Sequence, residues 1–125
     1  MIYGDRMKTV KISLSSIVGG GICVAASDGQ KVHRAIYDVI QRGDRAEISF
    51  FGITRMTTAF LNAAVGQLYG EFDEGLIKAR LATPVDYEEW HLSRLKLVVD
   101  RAKIYFADRA AVEEIFDEIE NGFDD

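Results

Sequence analysis

Two hydrophobic periods alternate along this chain, and their alternation restricts it to the α/β class. In residues 8–14, Val10, Ile12 and Leu14 fall on one face of a period-two pattern. In residues 45–51, Ala46, Ile48 and Phe50 do the same, and in residues 77–82 so do Ile77, Ala79 and Leu81. Between these lie stripes of helical spacing. Val32, Ala35, Ile36, Val39 and Ile40 form one, and Phe60, Leu61, Ala64, Val65 and Leu68 form another. Strands separated by single helices imply crossovers and a partly parallel sheet.

The chain therefore predicts a small mixed, partly parallel sheet with helices packed over it, in the order β-β-α-β-α-β-α-α. Gly19, Gly20 and Gly21 turn residues 8–14 into a second short strand at 22–26, giving a hairpin. Ser27 or Asp28 caps the first helix, which stops at Gly43. The second helix spans 57–69 and stops at Gly70. Pro84 stands at the start of a third, which runs to about residue 107 with Tyr87, Trp90, Leu95, Val98, Val99, Ala102, Tyr105 and Phe106 on its stripe. A strand over 103–106 is the alternative there. Asp108 caps a last helix with Ala111, Val112, Ile115, Phe116 and Ile119 facing inward. Residues 1–125 read as a single domain, with 108–125 a C-terminal helix and acidic tail.

Charge and cysteine usage bound the partners. The net charge is −5, and seven acids with no base lie in residues 113–125. An acidic end repels phosphate backbones, so nucleic acid is not expected. Cys23 is the single cysteine, which makes no internal disulfide and points to a reducing, cytoplasmic compartment. Residues 12–26 loosely imitate an export signal, but three serines and three glycines interrupt the apolar run. Neither export nor a membrane partner is expected.

Chemistry-bearing groups are sparse. His33 and His91 lie apart with no ligand at metal spacing, so both read as structural histidines, and no metal or cofactor is expected. The three glycines precede an extended segment rather than a helix opening with Lys and Ser or Thr, so they do not make a phosphate loop. Cys23 sits in an apolar pattern, where a thiol is packing. Asp86, Glu88 and Glu89 read as helix-start acids rather than a catalytic pair. No catalytic residues are assigned, and the chain is not expected to be an enzyme.

The distinctive stretch is residues 52–62, Gly-Ile-Thr-Arg-Met-Thr-Thr-Ala-Phe-Leu-Asn. A strand ends, a loop runs, and two threonines open a helix, one as N-cap and the other as the first helical residue. A hydroxyl at a helix start also accommodates phosphate, which adds about −1.5 to −2 of charge. Residues 47–69 resemble the central segment of STAS-like domains of unknown function, themselves similar to anti-sigma-factor antagonists. The shared layout is a strand ending Phe-x-Gly-Ile, a short loop, then a hydroxyl-rich helix start and an apolar helix. The resemblance places Thr58 where antagonists carry a phosphorylated serine, with Thr57 on the preceding acidic residue. Phe60 stands where antagonists have glycine, and Ser49 where the strand usually ends in an acid.

The resemblance implies a regulatory protein-binding module, switched by phosphorylation at Thr58 or Thr57. It would contact its partner through Gly52, Arg55, Met56, Thr57, Thr58, Phe60 and Asn62. By the same analogy the partner is a serine/threonine kinase of the histidine-kinase-like ATPase type. Two alternatives belong to other classes. One is a small-ligand or nucleotide binder using the loop at Gly19, Gly20 and Gly21. The other is a structural homo-oligomer, joined through the last two helices by Leu92, Leu97 and Ile104.

Overall fold

The structure, a computed structural model, describes residues 7–123. Strand β1 (Thr9–Ser13) runs into a short helix α1 (Leu14–Val18), followed by β2 (Ile22–Cys23) and the long helix α2 (Ala26–Gln41). Strands β3 (Arg45–Ser49) and β4 (Arg55–Met56) precede α3 (Thr58–Ala64), which tightens into a 3-10 turn over Gly66–Gly70. Helices α4 (Glu74–Arg80) and α5 (Glu89–Phe123) complete the order.

The α/β class holds, but the strand pairing differs from the expected hairpin. Ser13 accepts from the Ser16 N–H and caps α1, so the chain leaves β1 as a helix. Gly19 then ends α1 in the left-handed conformation at φ 92°. β1 pairs with β3 instead, parallel, from Thr9 against Arg45 to Ser13 against Ser49. β2 pairs parallel with β4. Parallel neighbours need a crossover, and α2 supplies it. Every ladder among the described residues is parallel, in two small sheets rather than one mixed sheet.

The segment expected as a strand at 77–82 is α4. Asp73 caps it by accepting from the Gly75 N–H, Glu74 lies in its first turn, and Lys78 and Arg80 lie in its last. Extended structure begins only at its end. Leu81 bridges Ala46 and Val85 bridges Ser49, both parallel, along the free side of β3. Pro84 lies in this extended segment and does not start a helix. Asp86 turns the chain at φ 55° and accepts from the Ser49 hydroxyl at 2.8 Å, so it is not a helix-start acid. α2 begins at Ala26, and its N-cap, Ala25, makes no side-chain cap bond; neither Ser27 nor Asp28 caps it.

The two expected C-terminal helices are one. No Gly or Pro falls between Pro84 and Gly122, so nothing halts α5 at Asp108, and residues 103–106 are helical. Ile115 is exposed rather than inward. The side chains of Ala111, Val112, Phe116 and Ile119, and all of Asp124 and Asp125, lie outside the described residues.

One apolar cluster joins the elements. It holds Val32, Ile36, Val39 and Ile40 of α2, Ile48 and Phe50 around β3, and Phe60, Leu61 and Ala64 of α3. Leu95 and Val98 bring α5 onto it. Gly29 allows α2 to lie directly on α3: a Cβ there would stand 2.4 Å from the Phe60 carbonyl oxygen.

Candidate functional site

The segment from Gly52 to Asn62 is built by its attachment to β2. The Gly21 carbonyl accepts from the Thr54 N–H at 2.9 Å and the Arg55 N–H at 3.2 Å. The Cys23 carbonyl accepts from the Thr57 N–H at 3.0 Å. Only glycine permits this approach, since a Cβ at Gly21 would lie 2.4 Å from the Gly52 carbonyl oxygen. The glycine run is thus a seat for the candidate loop, with the Gly21 carbonyl already engaged. Gly52 itself turns at φ 78°, where a side chain is strained.

The two threonines have different situations. Thr57 is the N-cap of α3: its hydroxyl accepts from the Phe60 N–H at 3.1 Å and donates to the Val24 carbonyl at 2.7 Å. Thr58 is the first residue of α3, is exposed, and its hydroxyl has no partner among the described residues. Of the residues grouped as a partner surface, Gly52, Arg55, Thr58 and Asn62 are exposed and Thr57 is half-buried. Met56 and Phe60 are not surface residues. They are 2% and 0% exposed and belong to the apolar cluster, so they hold the loop from beneath. Asn62 lies a turn further along α3, beside Gln30, Ala63 and Gln67.

The start of α5 forms the second wall. Arg94 donates to the Met56 carbonyl and lies over the Trp90 ring, 5.2 Å from its centre. With Val24, Thr54, Arg55, Met56 and Thr57 these two residues line a hollow of about 380 Å³. The sequence offers only the four-residue spacing of Trp90 and Arg94, which marks a helical pair but not its target. Phe51, at the tip after β3, is 71% exposed, and Ile22, Val24 and Tyr87 are exposed as well.

Beneath the loop lies His91, 2% exposed. Its Nδ1 accepts from the Glu88 N–H at 2.8 Å, which fixes the other nitrogen as the donor; Nε2–H then donates to the Ile53 carbonyl at 2.9 Å. Its ring stacks on Phe50. His91 is thus a structural histidine. His33 is half-buried, and its Nε2 lies 2.6 Å from Glu71 Oε1. Burial, with a smaller contribution from the charge of Asp28, pushes the Cys23 thiol up to about 11.

Residues 28–83 match the family model of a STAS-like domain of unknown function. The matched span runs from α2 to just past α4 and contains the whole Gly52–Asn62 loop and helix start, so the likeness seen in residues 47–69 extends over it. No curated protein and no solved structure matches the chain. Among the described residues no helix is long and apolar enough to cross a membrane.

Proposed function

We propose that this STAS-like α/β unit is a regulatory binding module rather than an enzyme, and that it meets a protein partner through the loop from Phe51 to Thr58. The observation that carries the reading is the exposed Phe51 beside a loop whose backbone is fixed from below. Exposed aromatic groups on a fixed backbone lose little entropy on binding, and apolar surface of this kind marks contact sites. Phe51, Arg55 and Thr58 face solvent, while Met56, Phe60 and His91 hold the backbone in place.

The groups that chemistry would use near this face are already engaged. The Thr57 hydroxyl has two partners, His91 uses both ring nitrogens, and the Cys23 thiol is buried. The Thr58 hydroxyl is the accessible one. Phosphorylation there adds about −1.5 to −2 of charge beside Arg94, on a face that also carries Glu88 and Glu89, without removing a hydrogen bond from the fold. Phosphorylation of Thr57 would remove the proton donated to Val24. Thr58 is therefore the switch residue in this reading. By resemblance to the anti-sigma-factor antagonists, the partner is a kinase of the histidine-kinase-like ATPase type, acting in the cytoplasm.

The test is affinity capture from the native host on immobilised wild-type protein, Phe51→Ala/Arg55→Glu and Thr58→Asp, followed by mass spectrometry. The reading expects a protein retained by the wild type, lost on the double variant and altered in amount on Thr58→Asp. It also expects phosphate on the Thr58 peptide of protein isolated from that host. Identical retention on all three surfaces would reject the binding face. An unmodified Thr58 peptide under every growth condition would reject the switch while leaving the binding face standing.

A further inference from the structure

The outer side of α5 carries an apolar line that the body of the protein does not cover. Leu97, Ile104 and Ile115 are 41%, 64% and 54% exposed. Their intervals of seven and eleven residues are close to two and three helical turns, so the three stand in one row. Leu95, Val98 and Ala102, on the opposite side of the same helix, are buried against the domain. Phe106 is half-buried, lying where a Cβ on Gly70 would meet its ring, whereas Ala107, Asp108, Arg109, Glu113 and Ile115 are exposed. The helix spans 35 residues, about 52 Å at 1.5 Å per residue.

Charge is divided along the same helix. Residues 94–109 hold five bases (Arg94, Lys96, Arg101, Lys103, Arg109) against two acids, Asp100 and Asp108. Residues 113–123 hold five acids and no base. Arg101 makes no ion pair among the described residues.

We infer that α5 pairs antiparallel with α5 of a second copy of this chain. Two copies side by side in parallel would set the acidic ends against each other. Antiparallel, the Arg94–Lys96 end of the basic half lies along the acidic segment of the other copy, and the two-fold axis makes the match twice. Setting Leu97 of one copy level with Ile115 of the other places the axis near residue 106. Arg94 and Lys96 of each copy then run alongside the segment that holds Glu113, Glu114, Asp117 and Glu118 of the other. The apolar row supplies the attraction, and the charges set the orientation.

The experiment is light scattering of the full chain over a concentration series, with Ile104→Glu as the comparison. The inference expects a two-chain particle whose dissociation constant rises with ionic strength, and at least a tenfold weaker association for Ile104→Glu, whose melting temperature matches the wild type at concentrations where both are monomeric. A wild type that stays monomeric throughout overturns it, as does a dimer indifferent to Ile104→Glu. Orientation is read by mixing chains bearing Leu97→Cys with chains bearing Ile115→Cys and oxidising them; Cys23 is buried and does not compete. Mixed disulfides in excess over Leu97→Cys pairs are expected, and the reverse excess rules out the antiparallel arrangement.

Discussion

The hydroxyl of Thr57 reaches across the chain to the carbonyl of Val24, 2.7 Å away and 33 residues earlier, while it caps α3. One oxygen thereby holds both the helix start and the edge of β2. Thr57→Ala removes the cap and leaves the Val24 carbonyl without its donor. The expected loss is about 1–2 kcal/mol in urea unfolding. Thr58→Ala, one residue on, removes an exposed hydroxyl with no partner among the described residues and is expected to change stability by less than about 0.5 kcal/mol. Equal losses for the two would contradict the division of roles between them.

His91 ties α5 to the loop with both ring nitrogens, and Phe50 packs on its face. His91→Ala leaves the Glu88 N–H and the Ile53 carbonyl unpaired and opens a cavity, with an expected loss of about 3 kcal/mol. His91→Phe keeps most of the volume and the stacking but neither hydrogen bond, so it should fall between the alanine variant and the wild type. Urea midpoints measured side by side give the order. A phenylalanine variant no better than alanine would mean that packing contributes little here.

Gly29 sits where α2 crosses α3. An added methyl would stand 2.4 Å from the Phe60 carbonyl oxygen and 2.8 Å from the Ala63 Cβ. Alanine is worth about 1 kcal/mol more than glycine inside a helix, which would stabilise an isolated α2. The contact here is with backbone, which cannot swing aside, so the helices must separate. Gly29→Ala is expected to destabilise the protein by about 1–3 kcal/mol despite the better helix propensity. A stabilised variant, read by thermal unfolding, would show that the crossing is looser than the geometry requires.

The parts legible in the sequence were those decided by neighbouring residues. Ala46, Ile48 and Phe50 alternate because β3 buries one face, and Val32, Ile36 and Val39 recur because α2 buries one stripe. Thr57 and Thr58 were readable as cap and first helical residue for the same local reason. Ile77 and Leu81 are ambiguous, since a spacing of four fits two strand repeats and one helical turn alike. The cap at Asp73 and the cations at Lys78 and Arg80 favour helix there. The pairing of Ile22 with Arg55 has no signal nearby, because glycine close contacts between distant segments decide it. The same holds for the site: its threonines were visible, but Arg94 reaches Met56 only once α5 has packed.

Cys23 reports on whether β2 and β4 stay joined. Its side chain is wholly buried, and its thiol is raised from 9.0 to about 11, chiefly by burial. Folding therefore favours the neutral thiol, and its contribution to stability is intact below pH 9.0 and is lost as pH rises towards 11. At pH 8 only about one thiol in a thousand is ionised in the folded protein, and that one is shielded from reagent. Iodoacetamide at that pH is expected to label native protein at least 100-fold more slowly than urea-unfolded protein. Opening of the β2–β4 pair limits the native rate, and the Thr57 hydroxyl holds the carbonyl of Val24, the residue next to Cys23. Thr57→Ala should thus speed native labelling about tenfold, in proportion to about 1.4 kcal/mol of lost local stability, while Thr58→Ala leaves it unchanged. Equal rates for the two variants would mean that the Thr57 hydroxyl does not hold shut the opening through which Cys23 is reached, and the local clasp would be rejected.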